Sequence, residues 1–222
     1  MTTITQTLGD IVDTIPAAKR VFLRHQLDFC CGGKRTLESA CSRAGLDAES
    51  IAREIDDTAG RGGVPKSWHI RPLEELTAHI QSHYHQALRH DVPALIQAAI
   101  RVEHVHAGKA NVPVGLAEML ARFWDEMLDH MDKEETILFP MIRRGARGES
   151  VFMPVRVMER EHEQHGESLA RLRQLTGNYE PPANACATWR ALYEGLATLQ
   201  AELMDHIHLE NNVLFLRAVR GD

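Results

Sequence analysis

Residues 130–139 read HMDKEETILF and residues 206–215 read HIHLENNVLF, so His, Glu, Leu and Phe recur in register at an offset of 76. In each copy His-x-x-x-Glu sets an imidazole and a carboxylate one helical turn apart on one face, about 6 Å from each other. Apolar residues continue the same stripe. Leu116, Leu120, Phe123, Met127, His130, Glu134, Ile137 and Met141 follow steps of four and three, as do Leu192, Leu196, Leu199, Leu203, His206, Glu210 and Val213. Each His–Glu pair therefore falls where a helix facing a core carries leucine. Four long helical patterns, 73–100, 116–143, 154–176 and 186–219, are separated by turn-rich stretches with no competing strand alternation. The expected fold is all-α, an up-down four-helix bundle built from one helical hairpin used twice.

The remaining histidines are weighed against that frame. Under an offset of 77, His85 falls on His162. His85 precedes Leu88, Val92 and Ile96 on one face, and His162 lies in line with Val155, Met158 and Leu169. Each half of the bundle would then supply one lone His and one His–Glu pair. His165 shares the face of His162 and is read as an outer or solvated group. His79, His83 and His90 fall on a polar flank, and His208 projects away from His206 toward solvent. His25, His69, His104 and His106 are expected in surface or loop positions.

Burying one such pair can be tolerated as a hydrogen-bonded polar network; two facing pairs favour bound metal, because a carboxylate on an inward stripe costs several kcal/mol unless paired. Four neutral nitrogens and two carboxylates with no thiolate exceed one tetrahedral zinc and do not suit calcium or magnesium. Two transition ions fit, non-haem iron first, with manganese or zinc as substitutes. The metal candidates are His85, His130, Glu134, His162, His206 and Glu210. A metal-free bundle using its histidines as a pH switch is the remaining alternative.

The 222 residues are 44% hydrophobic and 25% charged, with a formal charge of -6 and 13 histidines. That sign argues against nucleic acid as a main partner. No apolar run approaches the ~20 residues that span a bilayer, and the N-terminus lacks a basic and apolar leader. A cytoplasmic protein is expected, with its four cysteines kept as thiols. Residues 1–58 form a small helical unit with helices near 11–24, broken by Pro16, and at 37–43 and 48–55, the last capped by Asp47. Residues 59–72 read as a linker, and 73–222 as the bundle.

His85, His130-x-x-x-Glu134, His162 and His206-x-x-x-Glu210 together resemble a hemerythrin-like di-iron bundle. Asp28-Phe-Cys30-Cys31-Gly-Gly resembles the small domain joined to such bundles in the repair-of-iron-centres family. The stretches HMDKEETILFPMI (130–142), HLENNVLF (208–215) and VHAGKANVPVGL (105–116) fit the same family. The resemblance implies two non-haem iron ions bridged by carboxylates and an oxo group, with the four histidines terminal and Glu134 and Glu210 bridging. It implies damaged iron–sulfur proteins as partners, nitric oxide or oxygen as small ligands, and repair of clusters after nitrosative and oxidative stress. Reduction of nitric oxide is an offshoot of that reading; an oxygen or nitric oxide sensor is the alternative. A small domain on a linker also allows exchange between two chains of a homodimer.

Cys30 and Cys31 are the candidate reactive residues. Neighbouring cysteines do not readily close an unstrained disulfide, and beside Gly32, Gly33 and Lys34 the thiols are expected to be accessible and somewhat acidic, suited to exchanging electrons or ligands. Cys41 and Cys186 are read as buried structural thiols.

Overall fold

Side-chain caps start the N-terminal helices. The Thr7 hydroxyl accepts from the Asp10 amide at 3.2 Å and opens α1 (Leu8–Thr14). Pro16, which cannot donate a helical hydrogen bond, separates it from α2 (Ala18–Arg24), so the helix expected over 11–24 is two. Thr36 caps α3 (Leu37–Ala44) through the Ser39 amide, and Gly45 at φ +69° ends it. The Asp47 carboxylate receives the Glu49 and Ser50 amides at the head of α4 (Ala48–Ala59), the cap expected from sequence.

Three of the four longer helices that follow are interrupted by π-helical turns. α5 (73–105) consists of Leu73–His79, a π turn at Ile80–His85, and Gln86–Val105. α6 (116–143) runs Leu116–Lys133, turns π at Glu134–Leu138 and finishes at Phe139–Arg143. α7 is Glu149–Leu175, beginning one turn before the expected start at Pro154. α8 (187–220) runs Ala187–Leu209, turns π at Glu210–Leu214 and ends with Phe215–Arg220. Gly115 has no side chain to cap α6, and Glu103 of α5 does so instead, accepting from the Ala117 amide at 2.7 Å.

The computed structural model describes residues 1–59 and 68–221. Of the expected linker, 60–67 lie outside the described residues. The chain forms two compact units, one of Met1–Leu76 with Met204–Asp222 and the other of Thr77–Leu203. In the first, Leu8, Val21, Phe22, Phe29, Leu37 and Ile55 are buried, as are Ile207, Leu214 and Phe215. In the second, α6 packs along α5 and α7. Gly195 of α8 approaches Leu95 of α5 so closely that a Cβ would stand 2.6 Å from it. The fold is an all-α up-down bundle with a small helical N-terminal region; among the described residues Thr7 and Thr36 form an isolated bridge and no strand occurs.

The π turn in α6 corrects the expected seam. A π turn takes in an extra residue, so positions beyond it move around the axis. Ile137 is 53% exposed and Met141 only half-buried, whereas Leu138 and Ile142 are at 1% and 0%. Ile142→Ala is expected to cost about 2–5 kcal/mol and Ile137→Ala no more than about 0.5. Equal losses in urea titrations would restore the unshifted register.

Candidate metal centre

His130 and Glu134 stand one turn apart on the buried face of α6, and Glu134 opens the π turn. His85 closes the π turn of α5, and His162 lies midway along the uninterrupted α7. All four are essentially inaccessible to solvent. Nε2 of His130 and Nε2 of His162 are 3.0 Å apart. Oε2 of Glu134 lies 3.3 Å from His85 Nε2 and 3.6 Å from His130 Nε2. His130, Glu134 and His162 each offer a ligand atom within 4.8 Å of the others.

Two carboxylates outside this cluster orient its rings. Glu135 accepts from His85 Nδ1 at 2.7 Å and from Arg89 at 2.8 Å. Glu161 accepts from His130 Nδ1 at 2.9 Å and from Lys133 at 2.5 Å. A ring that donates through Nδ1 presents the Nε2 lone pair inward, as metal coordination requires. The His130 bond leads in holding the Glu161 carboxyl down to about 2, against the opposing effect of burial and with help from Lys133. Burial pushes Glu135 up, but bonds from Arg89 and His85 outweigh it and its carboxyl is held below the usual range. His165 is buried behind the cluster, its ring 4.9 Å from that of His130 and nearly perpendicular. Its outer position agrees with expectation, its lack of solvent contact does not.

The cluster fits a cation. Both Glu134 oxygens are buried without a hydrogen-bond donor among the described residues, and lone pairs from two imidazoles converge beside them. A transition ion accepts all of these at once.

In the other unit, His206 and Glu210 occupy consecutive turns of α8, with Nε2 3.0 Å from Oε1, both buried. The residues after Glu210 hold the cysteine loop. Asn212 Nδ2 donates to the Cys30 carbonyl at 3.0 Å and lies 3.4 Å from the Phe29 carbonyl, and Asn211 Nδ2 lies 3.4 Å from the Cys30 carbonyl. Asn212 also pairs with His208 Nδ1 at 3.2 Å, while His208 Nε2 meets Asp13 at 3.0 Å. His208 is therefore buried, not solvent-facing, because this loop covers it. The sequence assigns Asn211 and Asn212 no role; two amides next to Glu210 on a buried stripe are the available signal.

Cys30 and Cys31 sit with Sγ atoms 3.8 Å apart, and the Asp28 carboxylate accepts from Cys30 Sγ at 3.2 Å and from both cysteine amides. Cys31 is half-exposed, but Cys30 is at 3%. The Cys31 thiol, burial and then Asp28 push the Cys30 thiol well above its ordinary value. The accessible, acidic pair expected from sequence is thus corrected for Cys30: the loop folds inward and brings the Asp28 carboxylate to the sulfur. Cys41 is buried as expected. Cys186 is exposed and His106 buried, the reverse of expectation.

The family model described as "Hemerythrin HHE cation binding domain" matches residues 76–218, about two-thirds of the chain and all six metal candidates. The chain belongs to the hemerythrin HHE family. A second model, "Domain of Unknown function (DUF542)", matches residues 4–59. The chain is similar to the "Iron-sulfur cluster repair protein YtfE" of Enterobacter sp. (strain 638), 46% identical over 217 residues, 98% of each chain. It is 46% identical to the protein of that name from Cronobacter sakazakii, covering 98% of this chain and 97% of that one. The Escherichia coli O8 protein is 45% identical with 98% of each covered. Among the described residues no helix is long and apolar enough to cross a membrane.

Glu135 and Glu161 bear the next prediction. Glu135→Ala or Glu161→Ala, each leaving the inner residues intact, is expected to weaken iron binding about 10–100-fold. Competition with a chelator measures it, and unchanged affinity in both would make these pairs ordinary surface ion pairs.

Proposed function

We propose that His85, His130, Glu134, His162, His206 and Glu210 hold two non-haem iron ions, and that the protein repairs iron–sulfur clusters damaged by nitrosative and oxidative stress. The observation that carries this reading is Glu134, a carboxylate without solvent contact and, among the described residues, without a hydrogen-bond donor, facing imidazole nitrogens whose far sides are tied to carboxylates. The internal repeat and the family model spanning 76–218 support including His206 and Glu210 in the same centre. The relatives named as iron–sulfur cluster repair proteins, matched over nearly their whole length, support the activity.

Bound iron supplies a redox-active cation able to take a small ligand such as nitric oxide or oxygen, and a store from which a depleted cluster can be refilled. His85 and His130 would bind through Nε2, which Glu135 and Glu161 aim by accepting from Nδ1. Glu134 and Glu210 would supply the anionic ligands that neutralise charge on bound cations. Phe139, stacked on His85 with ring centroids 5.9 Å apart, and the buried Leu138 and Met127 of the same helix as Glu134 exclude water.

Cys30 and Cys31 serve as the exchanging thiols, with Cys31 the accessible one and Asn211 and Asn212 holding their loop. Residues 1–58 form the cysteine domain, 59–72 the linker and 73–222 the iron-binding domain. Clients are damaged iron–sulfur proteins in the cytoplasm. The test is recovery of a purified iron–sulfur enzyme after nitric oxide damage. The iron-loaded protein is expected to restore activity, and Cys30→Ser with Cys31→Ser to retain iron yet lose the effect. Equal recovery with iron-stripped protein would refute the reading.

A further inference from the structure

We propose that Cys186 is a thiol–disulfide exchange site for small anionic disulfides, separate from the metal centre. Its carbonyl accepts from the Arg190 amide at 3.0 Å, which makes Cys186 the residue that caps the start of α8. Arg190 also binds the carbonyls of Ala183 and Ala185 with its guanidinium, fixing the loop that leads into the cysteine. His106 Nε2 lies 3.1 Å from Cys186 Sγ. On the other side of the ring, Lys109 Nζ lies 3.1 Å from Nδ1. An ammonium donating to Nδ1 leaves the proton on Nε2, so the imidazole N–H is aimed at sulfur. His106 is buried, its ring tilted at 42° and 5.1 Å from that of buried Trp189, while Cys186 itself is exposed. A ring whose Nε2–H is aimed at the sulfur stabilises the thiolate by donating to it, while the thiol proton itself passes to solvent.

A groove indicates the ligand. It has a volume of about 490 Å³ and is lined by Gln97, Arg101, His104 and Val105 of α5 and by Thr188, two residues beyond Cys186. Its walls are thus the last turns before His106 and the first turn after Cys186, and its size falls in the roughly 300–1,000 Å³ range of small-molecule sites. Arg101 and His104 offer cationic or donor groups, which suits carboxylates on a peptide-like disulfide. The sulfur of Cys186 attacks one sulfur of the ligand, the S–S bond breaks, and the second half leaves as a thiolate that takes back from solvent the proton lost by Cys186. One protein thiol and one small disulfide become one mixed disulfide and one small thiol, with no further oxidant.

The test incubates the full-length protein with oxidised glutathione or with uncharged 2-hydroxyethyl disulfide and follows each cysteine by peptide mass mapping. Cys186 is expected to react about tenfold faster than in urea-unfolded protein. His106→Phe, which keeps a ring against Trp189, and Lys109→Gln, at an exposed position, should each remove most of that advantage. Arg101→Glu should slow glutathione but not the uncharged disulfide. If folded Cys186 is no faster than the unfolded thiol, or Lys109→Gln leaves the rate unchanged, the exchange site is refuted. Equal loss toward both disulfides in Arg101→Glu would refute the groove as the ligand's seat.

Discussion

Metal-free protein carrying Glu134→Gln unfolds at higher urea than metal-free wild type, by about 1–3 kcal/mol. The wild-type carboxylate has no solvent contact and, among the described residues, no hydrogen-bond donor on either oxygen, so without a cation it holds an uncompensated desolvation cost. The amide has nearly the same shape, removes the charge and can donate to a ring nitrogen. With iron present the order reverses, because ligand binding to the native state stabilises wild type and the variant has lost a charged ligand. The crossing of the two stability curves on adding iron is the expected signature. A variant less stable than wild type under both conditions would mean that Glu134 is a structural group satisfied by its histidine neighbours alone.

The second large effect is at Gly33→Ala. A Cβ there would stand 2.5 Å from Asn212 Oδ1, 2.6 Å from the Phe29 carbonyl and 2.7 Å from Asn212 Nδ2. Two of these atoms belong to the amide that holds Phe29 and Cys30, and the third is backbone, so relief requires the cysteine loop to lift away from α8. The expected cost is about 1–3 kcal/mol, together with faster alkylation of the buried Cys30. Gly166, with open space around it, supplies the control: Gly166→Ala within α7 should stabilise by about 0.5–1 kcal/mol. If Gly33→Ala behaves like Gly166→Ala, the loop is not seated on the asparagines as described.

What could be read from the sequence was set by local periodicity. His130, Glu134, His206 and Glu210 were legible because polar residues interrupted an apolar stripe at the same place twice, and the helices followed from that stripe and from caps such as Asp47. The π turns were not legible. An extra residue in a turn leaves the residue types unchanged, and only the exchange of Ile137 for Leu138 and Ile142 in the core exposes it. Glu135 and Glu161 were hidden for another reason: each sits beside a metal candidate on a charged helix face, while its partner lies 50 or 31 residues away. His208, His106 and Cys186 were misplaced on similar grounds, since their burial or exposure depends on segments remote in sequence that no periodicity describes.

The most direct test of the central claim is the metal content and near-ultraviolet and visible absorption of protein purified from iron-replete cells, wild type beside Glu134→Ala with Glu210→Ala. The account predicts about two irons per wild-type chain, as in other paired-ion bundles, and loss of both metal and absorption in the double variant. Wild-type protein without transition metal, or a double variant with its iron undiminished, would contradict it.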